Sequence, residues 1–192
     1  MTDYFALLEQ PRRPWLDPEQ LKESFHARTL RSHPDALPGD ATVSGEGAFA
    51  ELNEAYQVLR DPKRRLQHLL ALQGDSPSSQ SGSIPEEIEN LFPVVADLTL
   101  ESDKLIHQLG GATSPLSRSL LKPQVIATAK RITDVLQRLR TLFNDAEGRL
   151  QETSEGTRSE DRIADLHALY LEFSYLTKWI AQLDEKQFQL AL

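Results

Sequence analysis

Apolar residues recur along most of the chain at intervals of three and four, the spacing that lines one face of an α-helix. Leu21 and Phe25 mark such a face after Asp17-Pro18, an N-cap followed by a proline at the first helical position. That helix is expected to stop before Pro34. Phe49, Leu52, Tyr56 and Leu59 mark a second helix from near Glu46, and Asp61-Pro62 opens a third that carries Leu66, Leu69 and Leu70. A short helix, Tyr4 to Glu9, precedes them. In the second half, Ile84-Pro85-Glu86-Glu87 opens a helix that kinks or restarts at Pro93. Pro123 is expected to start the next, with Ile126, Ala129, Ile132, Leu136, Leu139 and Phe143 as its stripe. The last runs from about Ser159, with Ile163, Leu166, Tyr170, Phe173, Trp179 or Ile180, and Leu183 as its stripe. No segment reads as a strand, so the fold class is all-α.

Small and polar residues break this pattern at 74–83, at Gly110–Pro115 and at Thr153–Thr157. The first break reads as a linker, because it offers nothing to bury. The expected organisation is a helical hairpin with short flanking helices over residues 1–73, a linker over 74–84, and an antiparallel three-helix bundle over 85–192. The bundle is expected to bind a client or to self-associate.

Composition narrows the chemistry. The 192 residues contain no cysteine, which excludes disulfides, a thiolate nucleophile and thiolate-held metals. The net charge of −8 argues against nucleic acid as a partner. No apolar run reaches the ~20 residues that cross a bilayer. The N-terminus shows no secretory signal. The expectation is a cytoplasmic protein with no membrane partner. The five histidines show no paired ligand spacing, so no metal and no cofactor is expected. His68, beside Leu69 and Leu70, reads as a packing residue. Lys63-Arg64-Arg65 reads as a solvated basic helix face.

One tripeptide carries a functional signal. His33-Pro34-Asp35 lies between the two hairpin helices, where Pro34 stops the first helix and His33 and Asp35 offer a hydrogen-bonding ring and a fixed charge. Its context is a short helix at Tyr4-Phe5-Ala6-Leu7-Leu8, a capped helix at Pro18, and the run from Phe49 to Pro62. This pattern resembles the J-domain of DnaJ-type co-chaperones over residues 3 to 73. The resemblance implies that His33, Pro34 and Asp35 contact a DnaK-type chaperone and trigger its ATP hydrolysis. A chain that passes from such a domain to a short all-helical one, with no Gly/Phe-rich or Cys-rich region, further resembles the HscB family of iron–sulfur cluster assembly. That resemblance implies a DnaK/HscA-type chaperone as partner and an iron–sulfur scaffold protein as client.

Several positions depart from the family. Leu21, Phe25, Arg28 and Ser32 share one face, and Arg28 and Ser32 stand where larger apolar side chains are usual. Arg28 could lay its methylenes on the neighbouring helix and turn its head outward. The opposite face, with Lys22, His26, Thr29 and His33, is far less basic than the family's, and Ala36 follows the tripeptide where a basic residue is common. Lys22 and His26 remain candidates for the chaperone contact. For the client, the best candidate is the segment with Leu91, Phe92, Val95 and Glu101, whose Pro93 departs from the family's motif. Surplus aromatics on the last helix, Tyr170, Tyr175, Trp179 and Phe188, read mainly as bundle packing, with an exposed patch as the other reading. The chain is expected to be a co-chaperone and not an enzyme. The alternative is a helical scaffolding or adaptor protein whose J-like fold has lost chaperone stimulation.

Overall fold

A computed structural model describes residues 1–31, 42–75, 84–155 and 160–191. Those residues form helices α1 (Tyr4–Leu7), α2 (Pro18–Arg31), α3 (Thr42–Arg60), α4 (Pro62–Leu72), α5 (Glu86–Glu89), α6 (Leu91–Gly111), α7 (Pro115–Glu155) and α8 (Glu160–Ala191), and no strand. The chain groups into two compact units. One comprises Met1–Gly82 with Glu147–Tyr170; the other comprises Ser83–Ala146 with Leu171–Leu192.

Aspartates open three helices of the first unit. Asp3 accepts from the amides of Phe5 (3.0 Å) and Ala6 (3.3 Å) at the start of α1. Asp17 accepts from Glu19 (2.9 Å) and Gln20 (3.0 Å) ahead of Pro18, and Asp61 accepts from Arg64 (2.9 Å) ahead of Pro62. Each side chain satisfies amides that have no partner inside the helix. Helix α3 starts at Thr42, a turn earlier than the apolar stripe from Glu46 suggests. It is the hub on which α1, α2 and α4 pack. Phe25 of α2 stacks on Tyr56 of α3 with ring centroids 4.5 Å apart. Leu21, Leu52, Leu59, Leu66 and Leu70 are buried in the same unit.

His68 is a packing residue, as its neighbours suggest. It is buried, its Nε2 accepts the Tyr4 amide at 3.1 Å, and its ring stacks on Tyr4 and Phe5. Burial pushes its pKa below the ordinary value, opposed by the charge of Asp3. A depressed histidine stabilises the fold fully above the unfolded value near ~6.5 and loses that contribution as pH falls through the folded one. Acidification from about pH 7.5 to about pH 5.5 should therefore lower the melting temperature more in the native chain than in His68→Gln. Equal pH slopes would remove His68 as the cause.

Lys63-Arg64-Arg65 is not a uniformly solvated face. Arg64 is exposed and pairs with Glu54 at 2.6 Å. Arg65 is buried, and its guanidinium donates to the carbonyls of Pro14 (2.7 Å) and Leu59 (2.6 Å). It shares the inward face with Leu66 and Leu69, so helical phase carries it inside.

The second unit is a helical bundle. Its core joins Leu91, Val95 and Leu98 of α6, Ile132, Leu136 and Leu139 of α7, and Leu176, Trp179 and Leu183 of α8. Pro93 sits in the first turn of α6, where its missing amide costs no helical bond, so the chain restarts there. Helix α7 differs from the sequence expectation. It begins at Pro115 and runs through Pro123. Ser114 and Ser117 cap it reciprocally: the Ser117 amide donates to Ser114 Oγ at 3.1 Å and the Ser114 amide to Ser117 Oγ at 3.3 Å. Pro123 is exposed, as is Ser119, whose carbonyl loses its helical donor; water can serve it. Gly110 and Gly111 end α6, and the break at Thr153–Thr157 is helical through Glu155, its last two residues lying outside the described set.

Candidate functional site

His33, Pro34 and Asp35, with Ser32 and Ala36, lie outside the described residues. The helix that leads to them is described. Lys22 and His26 are both exposed on α2. Lys22 Nζ lies 3.6 Å from the Glu19 carboxylate, so part of its charge is met within its own helix. The ring of His26 lies 5.7 Å from that of Phe25 on the core side. Arg28 adopts the snorkelling arrangement: its Nη2 pairs with Glu9 at 2.5 Å, while its Nε is buried with no hydrogen-bond partner among the described residues. Its cation is thereby turned toward Glu9 at the end of α1.

In the second unit the client candidates separate into core and surface. Leu91 and Val95 are 1% and 3% exposed within the bundle core. This corrects their assignment as contact residues, because they complete the stripe of α6 that α7 and α8 cover. Glu101 is engaged within the unit. It accepts from Thr128 Oγ1 at 2.7 Å and pairs with Arg131, both on α7. The Thr128 hydrogen bond lowers its pKa, burial opposes this, and Arg131 lowers it further. Glu101 is therefore a strut between α6 and α7.

Phe92 is the candidate that reaches the surface. It is 38% exposed, and its ring meets Tyr175 and Trp179 of α8 edge-on at centroid distances of 4.9 and 4.8 Å. The result is an aromatic ledge with a buried floor at Trp179, a half-buried wall at Tyr175 and an exposed edge at Phe92. Edge-to-face geometry holds such rings beyond what area alone gives. The sequence pairs Tyr175 and Trp179 by i, i+4 spacing, but nothing local ties them to Phe92. Phe188 is 62% exposed farther along α8, and Tyr170 is half-buried in the first unit. Among the described residues no helix is long and apolar enough to cross a membrane.

The hairpin of α2 and α3, flanked by α1 and α4, belongs to a known class. Residues 3–68 match the model of the DnaJ domain, so the N-terminal part of the chain is a J-domain. The chaperone protein DnaJ of Protochlamydia amoebophila is 36% identical over 96 residues, covering 48% of this chain and 24% of that protein. The chain is also similar to the co-chaperone HscB, in sequence over part of its length and in fold over nearly all of it. The co-chaperone protein HscB of Proteus mirabilis is 35% identical over 75 residues, covering 38% of this chain and 43% of that protein. The solved structure of chaperone HscB from Vibrio cholerae superposes with a TM-score of 0.53 at 21% identity, covering 98% of this chain and 99% of that one. The chain thus has the HscB fold, while its sequence matches span a quarter or less of the first DnaJ relatives and under half of the HscB relative.

Proposed function

We propose that this protein is a co-chaperone that binds an ATP-loaded DnaK/HscA-type chaperone through residues 1–73, stimulates its ATPase, and delivers a client held by the bundle of residues 85–192. The observation that carries the reading is the DnaJ domain match, which runs from residue 3 to 68 and so spans His33-Pro34-Asp35. The HscB-like fold supports the iron–sulfur cluster scaffold as client. Single-turnover ATP hydrolysis by a DnaK-type chaperone, with and without this protein, tests the reading. Stimulation that saturates with concentration is expected. A flat response would favour the adaptor reading, which the partly met charge of Lys22 and the engagement of Arg28 by Glu9 motivate.

Lys22 is the permanent charge on the face of α2 proposed to meet the chaperone. Lys22→Glu should slow association by about threefold to tenfold at low salt, with the difference shrinking as ionic strength rises. Stopped-flow binding measures this, and unchanged association at low salt would remove Lys22 from the contact.

Phe92 is the proposed client anchor. Large aromatics dominate interface energies when they enter a partner pocket. Phe92→Ala should weaken scaffold binding about tenfold or more while leaving stimulation by the J-domain alone intact. Because the ring is partly exposed, its removal should cost less stability than the ~3–5 kcal/mol of a fully buried phenylalanine. Intact client affinity, or a melting-temperature loss of the full buried-core size, would make Phe92 a packing residue.

A further inference from the structure

We propose that the outward face at the start of α7 docks an acidic amphipathic helix of a partner protein. The inward face of this stretch carries Leu121, Val125, Thr128 and Ile132, which are half-buried or buried. The opposite side is also apolar. Leu116, Leu120, Pro123 and Ala127 share one face at i, i+4, i+7 and i+11, and all four are exposed. Leu116 and Leu120 are 72% and 70% exposed, and Ile126 beside them is 60% exposed. A helix on a bundle needs one apolar stripe; this one has two.

Charge says what kind of partner fits. Residues 104–133 contain five Lys or Arg and no Asp or Glu, whereas the remainder of the chain carries all 29 acidic residues and a net charge of −13. Arg131 is taken up by Glu101, and Arg118 donates to the Ala112 carbonyl at 3.1 Å. Lys122 lies near Leu120 and Lys130 follows Ala127; both are exposed and form no ion pair among the described residues. Beside the face, a groove of about 320 Å³ runs between α6 and α7; Lys104, Leu105, Gln124 and Ala127 line it, together with Glu101, whose carboxylate is met by Thr128 and Arg131. An apolar ridge, an adjoining groove and unpaired cations suit a helix that presents leucines toward α7 and carboxylates at its margins. A second copy of this chain suits it less, since two-fold pairing would set these cations against one another. The face is separate from the aromatic ledge at Phe92.

The probe is a fluorescently labelled synthetic helix with leucine on one side and glutamate on the other. Its control has lysine in place of glutamate. With the full-length protein at low salt, anisotropy should show the acidic helix binding about tenfold or more tightly than the control. The gap should close toward about 0.5 M salt. Leu120→Ser/Lys122→Glu should weaken the acidic helix about tenfold, with helical content unchanged because both positions are exposed. Lys130→Glu should weaken it less, and Phe92→Ala not at all. Equal affinity for both helices, no binding of either, or indifference to the double variant would overturn the proposal. So would sedimentation with phosphatidylserine vesicles that the double variant abolishes while the acidic helix fails to bind, which would make the face a lipid surface. A loss caused by Phe92→Ala would show that the helix sits on the client ledge instead. None of these outcomes depends on chaperone stimulation.

Discussion

Arg65→Met is expected to lower the unfolding free energy by about 3–4 kcal/mol, the largest loss for any single charged residue described here. Arg65 Nε donates to the Pro14 carbonyl and Nη1 to the Leu59 carbonyl, tying the segment before α2 to the end of α3. Methionine fills the volume of the stem but leaves both carbonyls without these donors, at about 1–3 kcal/mol for each buried group. Burial lowers the guanidinium pKa to about 10, with Glu147 and Asp61 opposing the shift. The group therefore stays charged at neutral pH. Its loss also removes a cation that those two carboxylates feel. Lysine should not rescue the variant, because one ammonium lacks the fork that reaches two carbonyls in different directions. Urea denaturation of the full chain, followed by circular dichroism, measures the effect. A loss below about 1 kcal/mol would mean that water replaces the guanidinium.

Arg65 also shows what kind of information was legible in the chain. Asp3, Asp17 and Asp61 could be read because a cap is a local arrangement complete within four residues. Arg65 could be read only through phase. In a run of three basic residues, Arg64 faces water, Lys63 is half-buried and Arg65 shares the stripe of Leu66 and Leu69. The start of α7 was legible too, since Ser114-Pro115 repeats the cap-then-proline signal of Asp61-Pro62. Gly110-Gly111 before it and Pro123 after it pointed elsewhere. With the start misplaced, only the first turns of the stripe slipped by a residue: Ile126 faces outward while Val125 and Thr128 face the core, and Ile132, Leu136 and Leu139 lie in the core as their spacing suggests. The contact of Phe92 with Tyr175 and Trp179 had no local signal, because it joins residues more than eighty positions apart. Leu91 and Val95 looked available for the same reason. Their cover comes from helices far along the sequence.

His33→Gln is expected to abolish stimulation of a DnaK-type ATPase, the largest functional effect of any substitution considered. The tripeptide lies outside the described residues, and the DnaJ domain match spans it. Glutamine keeps a donor and an acceptor but loses the rigid ring and the capacity to become cationic near neutral pH. A contact built on imidazole geometry fails under that exchange, whereas a plain helix stop does not notice it, because Pro34 is still present. Single-turnover hydrolysis should fall to the unstimulated rate at every concentration, with helical content and melting temperature within error of the native chain. The client binding proposed for Phe92 should be unaffected, which separates this variant from Phe92→Ala. The two variants together should show both losses independently, as expected of sites with no shared partners. Stimulation that survives His33→Gln would reduce the tripeptide to a helix stop and would put the trigger elsewhere in residues 1–73.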